Sequence, residues 1–283
     1  MDHRPPHEPV MVREVLSFLG GRRRVLDMTL GAGGHAQALL DSGVQELIGV
    51  DRDPVARRIA GERLTPSGSR FVPIAATFAH LPPLEPVDGV LYDLGVSSMQ
   101  LDEPERGFSF RAEGPLDMRM GDEGQRAMDI VNEASEEELA DILFGYGEER
   151  QSRRVARAIV RARERAPIVT TTQLASVVTS AVGKRPGAPH PARRTFQALR
   201  VAVNREIEEL SASLPQAEGL LAPGGRIVVI AYHSLEDRIV KRFFRDGEGL
   251  TVLTKKPLRP SPAEAAANPR ARSAKLRAAE VAA

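Results

Sequence analysis

The feature that most constrains the fold of this chain is the stretch VLDMTLGAGGH at 25–35. An apolar run ends in Asp27, and a turn containing Gly31, Gly33 and Gly34 leads into a helix-like segment. Glycines in such a turn let backbone N–H groups approach a ligand closely, and a strand, glycine turn and helix in this order are typical of a doubly wound α/β sheet. The stretch therefore predicts a fold class and a site for a nucleoside-containing cofactor.

A second apolar run, 46–50, is followed by Asp51, twenty residues after Gly31. A carboxylate at this distance is typical of one that binds ribose hydroxyls. The alternative for Asp51 is a helix cap, but Asp53 before Pro54 is the better cap candidate, which leaves Asp51 for ribose. His35 is a candidate ligand residue or simply a polar residue at the start of a helix.

The spacing of Gly31, Gly33 and Ala36 also fits a nicotinamide dinucleotide. Asp27 favours S-adenosylmethionine instead, because a carboxylate attracts the positively charged methionine amino group and repels a pyrophosphate. No pair of residues resembles an acid–base pair for hydride transfer. The methyl donor is therefore the favoured cofactor, and the dinucleotide stays open as the alternative.

Strand candidates at 25–28, 46–50, 71–75 and 87–92 alternate with helix-like segments, and the next clear strand is 226–231. Alternating strands and helices predict a doubly wound, mostly parallel, Rossmann-like α/β sheet. A crossover helix needs only about a dozen residues, so most of the long gap is an insertion. We expect a core formed by 1–102 and 200–283, with an inserted helical domain at 103–199.

The insertion carries helix signals throughout. Capping and first-turn residues at 132–138 precede a helix at 139–144, and further helices are predicted at 150–166 and 170–182. One continuous helix is indicated by an apolar stripe with steps of three and four, formed by Phe196, Leu199, Val203, Ile207 and Leu210. After the late strand we expect a helix at 235–245, short strands at 250–254 and 273–279, and a mobile surface loop at 257–272.

Composition excludes several kinds of site. The chain has no cysteine, so disulfides, thiolate metal sites and a cysteine nucleophile are excluded, and no metal is predicted. The N-terminal residues lack the apolar core of a signal peptide, and no apolar run reaches the roughly 18 residues of a membrane span. We therefore expect no membrane partner and a cytoplasmic location.

The fourth strand candidate ends in Asp93, which places this carboxylate beside the cofactor, because ligands bind beyond the carboxyl ends of parallel strands. An exocyclic amine on a base is a poor nucleophile, since its lone pair is delocalised into the ring. A carboxylate that accepts its N–H orients the amine and stabilises the charge developing on nitrogen. Asp93 fits this role, and a turn-forming aspartate before Leu94-Gly95 is the alternative.

The segment YHSLED at 232–237 follows the late strand, at the same edge of the predicted sheet. Tyr232 is a candidate for stacking a base, and His233 for moving a proton or contacting phosphate. Ser234, followed by acidic residues in the first turn, predicts the N-cap of the next helix.

A basic helix face is predicted within the insertion by Arg150, Arg154, Arg157, Arg161 and Arg165, which step by three and four. Glu164 is the only acidic residue from 150 to 165, whereas a solvated face usually mixes both charges. This face is a candidate for contacting RNA phosphates, and a plain solvated surface is the alternative.

Longer motifs run in order along the whole chain: HEPVM at 7–11, DMTLGAGGH at 27–35, GVDRDP at 49–54, YDLGVSS at 92–98, RGFSF at 106–110, GPLDMRM at 114–120, YGEER at 146–150, HPARRTFQALR at 190–200, HSLEDRIVK at 233–241 and NPRARS at 268–273. Together they resemble the MraW-type methyltransferases, which methylate N4 of a decoding-centre cytosine in small-subunit ribosomal RNA. The resemblance implies a class I methyltransferase fold with an inserted substrate-recognition domain, S-adenosylmethionine as donor, and ribosomal RNA or the small ribosomal subunit as partner.

The same resemblance implies that the cofactor contacts are Gly33, Gly34, His35, Asp51, Phe78, Asp93 and Gln100. In one respect the chain departs from the wider class of amino-methyltransferases, which have an aromatic residue after Asp-Pro-Pro or Asn-Pro-Pro at the fourth strand. Here Leu94-Gly95 follows Asp93, so the residue that stacks the base is not identified. The alternatives for function are a DNA cytosine-N4 methyltransferase and a non-catalytic RNA-binding or ribosome assembly protein that retains a cofactor pocket.

Overall fold

The computed structural model describes residues 9–184 and 186–282 and divides them into two compact units. The sheet unit comprises the described residues up to Gly95 and those from Ile207 onward, and the helical unit is Val96–Glu206. These boundaries lie a few residues outside the expected 103 and 199, because Val96 and Leu101 already pack into the core of the helical unit. Within the two described ranges, none of the helices combines the length and apolar composition that crossing a membrane requires.

The elements follow one another as the alternation predicts. The first part of the sheet unit contains α1 (Val12–Leu19), β1 (Arg24–Asp27), α2 (Gly34–Asp41), β2 (Glu46–Asp51), α3 (Pro54–Leu64), β3 (Phe71–Ala75) and β4 (Val87–Asp93). The helical unit contains α4 (Ser98–Asp102), α5 (Ala127–Glu133), α6 (Glu136–Gly145), α7 (Ser152–Arg163), α8 (Thr171–Val182) and α9 (Arg193–Asn204). The chain ends with α10 (Glu206–Leu220), β5 (Leu221–Ala231), α11 (Ser234–Asp246), β6 (Leu250–Val252), α12 (Pro262–Ala267) and β7 (Lys275–Val281).

The seven strands form one sheet in the order β3-β2-β1-β4-β5-β7-β6. Strands β1 to β5 are parallel, whereas β7 runs antiparallel to both β5 and β6. This order confirms the predicted doubly wound, Rossmann-like fold of the class I methyltransferases. The chain reverses direction across the sheet between β1 and β4, and ligands bind at such a switch point beyond the carboxyl ends of the strands.

Both faces of the central strands are buried, as their unbroken apolar sequences require. Successive residues contribute to opposite faces, so Val25 belongs to one core cluster and Leu26 to the other. The first cluster includes residues of α1, α2 and α3, and the second includes residues of α10 and α11. Helices therefore cover both faces and leave the carboxyl edge of the sheet for the loops.

The predicted continuous helix over 196–210 is wrong, because the chain breaks at Arg205. This residue adopts a left-handed conformation with φ 50° and separates α9 from α10. The apolar stripe continues across the break because it serves two cores. Phe196 and Leu199 pack in the helical unit, whereas Leu210 packs against the sheet.

The segment expected to be a mobile loop at 257–272 is ordered into helical turns. Ser261 caps α12 by accepting a hydrogen bond from the Glu264 amide, and a 3-10 helix follows at Pro269–Ser273. The carboxylate of Glu264 in turn accepts a 2.6 Å bond from the Met11 amide. The segment 257–272 has the proline, alanine and arginine composition of a loop, but the long-range bond between Glu264 and Met11 holds it in place.

Two of the motifs that carry the family resemblance, RGFSF at 106–110 and GPLDMRM at 114–120, form the centre of the helical unit. We call residues 106–120 together with Asn204 the motif hub. The Met118 amide donates to the Arg106 carbonyl, and Gly107 has a φ of 73° at a point where a Cβ atom would collide with the Pro115 carbonyl. The side chain of Asn204 closes the hub by accepting from Met120 N and donating to the carbonyl of Met118.

Candidate active site

Three of the predicted site carboxylates, Asp27, Asp51 and Asp93, lie at the carboxyl ends of β1, β2 and β4. The hydroxyl of Thr29 accepts a 2.6 Å hydrogen bond from the Asp93 amide and so ties the loop after β1 to the end of β4. The Gly31 amide donates to the carboxylate of Asp51 at 2.9 Å. Hydrogen bonds with the loop after β1 therefore hold the backbone at Asp93 and the carboxylate of Asp51 in place.

The glycine turn has the geometry that its sequence predicts. Gly33 lies at φ 75°, a left-handed conformation that side chains disfavour, and it is the N-terminal flanking residue of α2. A Cβ atom at this position would come within 3.2 Å of the Ala60 side chain. The backbone of the turn therefore passes close to α3, which only glycine permits.

Asp27 is a buried carboxylate with an unsatisfied oxygen. One oxygen accepts a 3.1 Å bond from the Thr29 amide, whereas Oδ2 has no hydrogen-bond partner in the described part of the chain. Burial, together with the charges of Asp93 and Asp51, outweighs the opposing effect of His35 and raises the pKa of Asp27 to about 7. A group in this state gains most from a cationic partner.

His35 lies in the first turn of α2 and is buried. Its Nε2 is 3.4 Å from Oδ2 of Asp93, and neither ring nitrogen has a well-formed hydrogen bond to a described residue. Burial alone would lower the pKa of His35, but the carboxylates of Asp93 and Asp27 raise it overall. The ring therefore lies beside the Asp93 carboxylate, feels the charge of Asp27, and has hydrogen-bonding capacity to spare.

Asp51 also organises the backbone around it, which the sequence did not indicate. Its two oxygens accept hydrogen bonds from the amides of Gly31 and Asp53 at 2.9 and 2.8 Å. Burial outweighs these two bonds and raises the pKa of Asp51. A carboxylate has about four lone-pair positions, so two remain for a ligand. The cap of α3 is Asp53, as predicted, with a 3.0 Å bond from the Val55 amide.

Asp93 is oriented from a second strand. The hydroxyl of Tyr232, which follows β5, donates to Oδ1 of Asp93 at 2.7 Å, while His35 faces Oδ2. Burial and the Asp93 charge raise the pKa of Tyr232 well above its usual value, so this hydroxyl stays protonated as a donor. The Asp93 side chain keeps about a quarter of its surface exposed, and the described residues leave it accessible to a reacting group.

The prediction that Ser234 caps the next helix is wrong, because the N-cap of α11 is His233. The Glu236 carboxylate accepts from the amides of Tyr232 and His233 at 2.8 and 3.1 Å, and the ring Nδ1 of His233 accepts from the Glu236 amide at 3.4 Å. His233 Nε2 lies 3.0 Å from Glu236 Oε1. The histidine is therefore held within the cap of its own helix.

Two residues implied by the resemblance lie in different units. Phe78 packs edge-on against Tyr92 in the sheet unit, with ring centroids 5.9 Å apart. Gln100 belongs to the helical unit and forms a capping box with Ser97 at the start of α4, through bonds of 3.1 and 3.3 Å. The structure thus gives each residue a protein contact, whereas the contact of Phe78 and Gln100 with a cofactor remains a prediction.

The helix that carries the basic face is shorter than predicted. The helix α7 spans only Ser152–Arg163, so Arg150 and Arg165 flank it, while Arg154 and Arg161 are exposed on it. Arg157 pairs with Glu136 of α6 at 3.3 Å. Val155 and Ile159 are fully buried on the opposite side, as their spacing predicts.

Sequence reasoning missed Thr29 and Glu236, which orient the site through backbone amides. The signal for Glu236 was present, because a glutamate three residues after a polar residue is the pattern of a capping box. Nothing in the sequence marks Thr29, since its role depends on β1 lying beside β4. The motif residues His7 and Glu8 lie outside the described residues.

Known proteins match this chain over nearly its whole length. Residues 4–282 match the MraW methylase family model. A curated relative from Cereibacter sphaeroides, named "Ribosomal RNA small subunit methyltransferase H", is 50% identical, with 97% of this chain and 89% of the relative covered. The protein of the same name from Methylobacterium nodulans is also 50% identical and covers 99% of this chain and 91% of its own length. The chain belongs to the MraW methylase family.

Proposed function

We propose that this protein transfers a methyl group from S-adenosylmethionine to the exocyclic N4 of a cytosine in the decoding centre of small-subunit ribosomal RNA. The observation that carries the proposal is the set of incompletely bonded polar groups at the carboxyl edge of the sheet. Asp27, His35 and Asp93 face one another there, beside a glycine turn. The names of the curated relatives, which are ribosomal RNA methyltransferases, support the choice of acceptor.

The residues present fit the proposed cofactor. The unsatisfied oxygen of the buried Asp27 suits a methionine ammonium group, and the free lone pairs of Asp51 suit ribose hydroxyls. The glycine turn provides backbone N–H groups, and Phe78 offers an aromatic face for adenine. When bound, S-adenosylmethionine supplies a methyl group on a positively charged sulfur, which the attacking nitrogen takes with its lone pair.

Asp93 performs the orienting step in this proposal. Its carboxylate accepts an N–H of the cytosine amine, which turns the nitrogen lone pair towards the methyl group. As nitrogen took the methyl group, the C–S electron pair would leave with the neutral thioether and positive charge would develop on nitrogen. The negative Asp93 would stabilise that charge until the nitrogen released one proton to water. Tyr232 holds one carboxylate oxygen in place through its 2.7 Å bond and acts as a positioning residue.

The helical unit would hold the RNA. Exposed arginines on and beside α7 supply positive charge suited to phosphates, and Arg154 and Arg161 have no acidic partner among the described residues. Arg157 contributes less, because Glu136 already neutralises it. We propose that these arginines position the RNA without selecting its sequence.

The deciding experiment supplies labelled S-adenosylmethionine with naked ribosomal RNA, small ribosomal subunits and DNA in parallel, followed by digestion to nucleosides. We expect the label in N4-methylcytidine from a ribosomal substrate. The Asp93→Asn variant should leave all substrates unlabelled. Label in DNA alone, in another nucleoside, or in none of the substrates would overturn the proposal.

A further inference from the structure

An open surface depression of about 320 Å³, here called the cavity, lies beside α8 in the helical unit. Its lining includes the rings of Phe110 and His190 and side chains of α8, among them Ser176, Thr179 and Ser180. Small-molecule sites in proteins begin at about this volume. None of the residues predicted to contact the cofactor lines this cavity.

The aromatic wall is a rigid pair of stacked rings. Phe110 and His190 lie nearly parallel, with centroids 4.5 Å apart and an angle of 19°, and Phe196 supports Phe110 from its edge. The His190 Nδ1 accepts a 3.2 Å bond from the Ala192 amide, so the proton of the neutral ring is on Nε2. Flat rings held in this way are the surfaces on which proteins stack unpaired bases.

Helix α8 contributes hydroxyl groups to the cavity at helical spacing. The hydroxyls of Ser176, Thr179 and Ser180 have no hydrogen-bond partner in the described part of the chain. Thr172 on the same face differs, because its hydroxyl donates to Glu113 at 2.9 Å. Three hydroxyls that can donate or accept suit the mixed polar edges of a base and the hydroxyls of a ribose.

Among the described lining residues, the charged side chain is Lys184, just beyond the end of α8. The Glu113 carboxylate lies next to the cavity through its bond with the lining Thr172, at a different end of the helix from Lys184. Burial and the charge of Lys184 lower the pKa of His190, which keeps its ring neutral at pH 7. A lysine beside an aromatic and hydroxyl-lined cavity is suited to a phosphate attached to the stacked group.

We propose that this cavity binds an unpaired nucleotide of the RNA substrate, with its base against Phe110 and His190 and its phosphate at Lys184. The proposal deepens the proposed function and rests on it. The stacked rings would hold a nucleotide that flanks the methylated cytosine or lies elsewhere in the bound RNA. The inserted unit would then recognise an extruded base in addition to the RNA backbone.

The first test fills the cavity. Ser180→Trp places a large ring in it, and Ser211→Trp, at an exposed position of α10 in the sheet unit, is the matched control. We expect Ser180→Trp and His190→Ala each to weaken binding of a ribosomal substrate about tenfold, the size of effect seen when one base-stacking contact is lost. Ser211→Trp should bind the ribosomal substrate as tightly as the wild-type protein does. The affinity for S-adenosylmethionine should be unchanged in all three variants.

The second test needs no substitution and therefore does not depend on the folding of a variant. Diethyl pyrocarbonate acylates the ring of a neutral, accessible histidine, and mass spectrometry follows each site. Bound ribosomal RNA should slow the modification of His190 several-fold and leave His80 unaffected, because His80 is 79% exposed and lies in the sheet unit.

The outcomes separate the two proposals. If the wild-type protein methylates ribosomal RNA but Ser180→Trp binds it normally and His190 is not protected, the cavity does not bind RNA and the methyltransferase function stands. Protection by an unrelated peptide and not by RNA would also overturn the nucleotide assignment. If RNA is neither bound nor methylated, both proposals fail.

Discussion

The carboxyl edge of the sheet and the motif hub are both rich in polar residues, yet they satisfy those residues differently. In the hub, both oxygens of Asp117 accept from Arg119 at 2.8 Å, and the amide of Asn204 bonds to three backbone groups. At the sheet edge, by contrast, Asp27 and His35 are buried with atoms that have no described partner. Polar groups that satisfy one another stabilise a fold, whereas buried polar groups left without partners are available to a ligand.

The largest effect should come from Asp93, the sheet-edge carboxylate proposed to orient the reacting amine. We expect Asp93→Asn to reduce methyl transfer by about 10²- to 10⁴-fold, because a neutral amide cannot stabilise the developing charge. The measurement is single-turnover transfer of labelled methyl groups, with Asp41→Asn, an exposed aspartate of α2, as the matched control. Transfer at the parent rate would remove Asp93 from the mechanism.

A substitution in the motif hub should change the stability of the protein and not the candidate active site. Asn204→Ala removes the hydrogen bonds that its side chain makes to the Met120 amide and the Met118 carbonyl, so we expect the free energy of unfolding to fall by about 2–4 kcal/mol. Urea denaturation measures the change, and the affinity for S-adenosylmethionine checks the site. A loss below about 0.5 kcal/mol, as at an ordinary surface position, would contradict a structural role for the hub.

Replacing Asp27 should change the free energy of unfolding in the opposite direction from Asn204→Ala. Folding raises its pKa from 3.8 to about 7, so the folded state binds the proton more tightly and loses stability as the pH rises through this range. Asp27→Asn removes that cost and should raise the free energy of unfolding at about pH 8 by about 1–4 kcal/mol, while weakening S-adenosylmethionine binding.

The binding of S-adenosylmethionine to the wild-type protein should also depend on pH. Only the ionised Asp27 pairs with an ammonium group, so calorimetric affinity should rise between about pH 6 and 8 and should be flat in Asp27→Asn. A destabilised variant with unchanged affinity would place Asp27 with the structural residues of the hub.

Tyr232 should have a smaller effect, since it acts through Asp93. We expect Tyr232→Phe to lower kcat about tenfold, with little change in KM for S-adenosylmethionine, because the loss of one hydrogen bond lets the carboxylate rotate. Tyr92→Phe is the matched control, since its buried hydroxyl bonds to Ser213 instead. Equal kcat values for the two variants would show that the Tyr232 hydroxyl has no positioning role.

The smallest effects should come from single arginines on α7. Arg154→Ala and Arg161→Ala should each reduce the slope of log affinity for RNA against log salt by about one unit for each lost phosphate contact. Arg157→Ala should change the slope less, because Glu136 already pairs with it. Unchanged slopes in filter binding would identify this face as ordinary solvated surface.

Much of the candidate site could be predicted because strand ends in a parallel sheet meet at one edge. Asp27, Asp51 and Asp93 each follow an apolar run, and the fold brings them together. Helix breaks and caps were harder to predict. The stripe from Phe196 to Leu210 runs unbroken through Arg205, since periodicity records apolar spacing but not which of two cores each residue enters.

The sequence by itself determined the sheet, the glycine turn and the carboxylates that follow the strands, because these depend on local patterns and on the direction of parallel strands. Only the tertiary structure decided which polar groups would be satisfied. Asn204 finds its partners Met120 and Met118 at sequence separations of 84 and 86 residues, whereas the sheet edge leaves Asp27 incompletely bonded. Hydrogen-bond satisfaction depends on residues distant in the chain, and that physical fact separates the binding site from the scaffold.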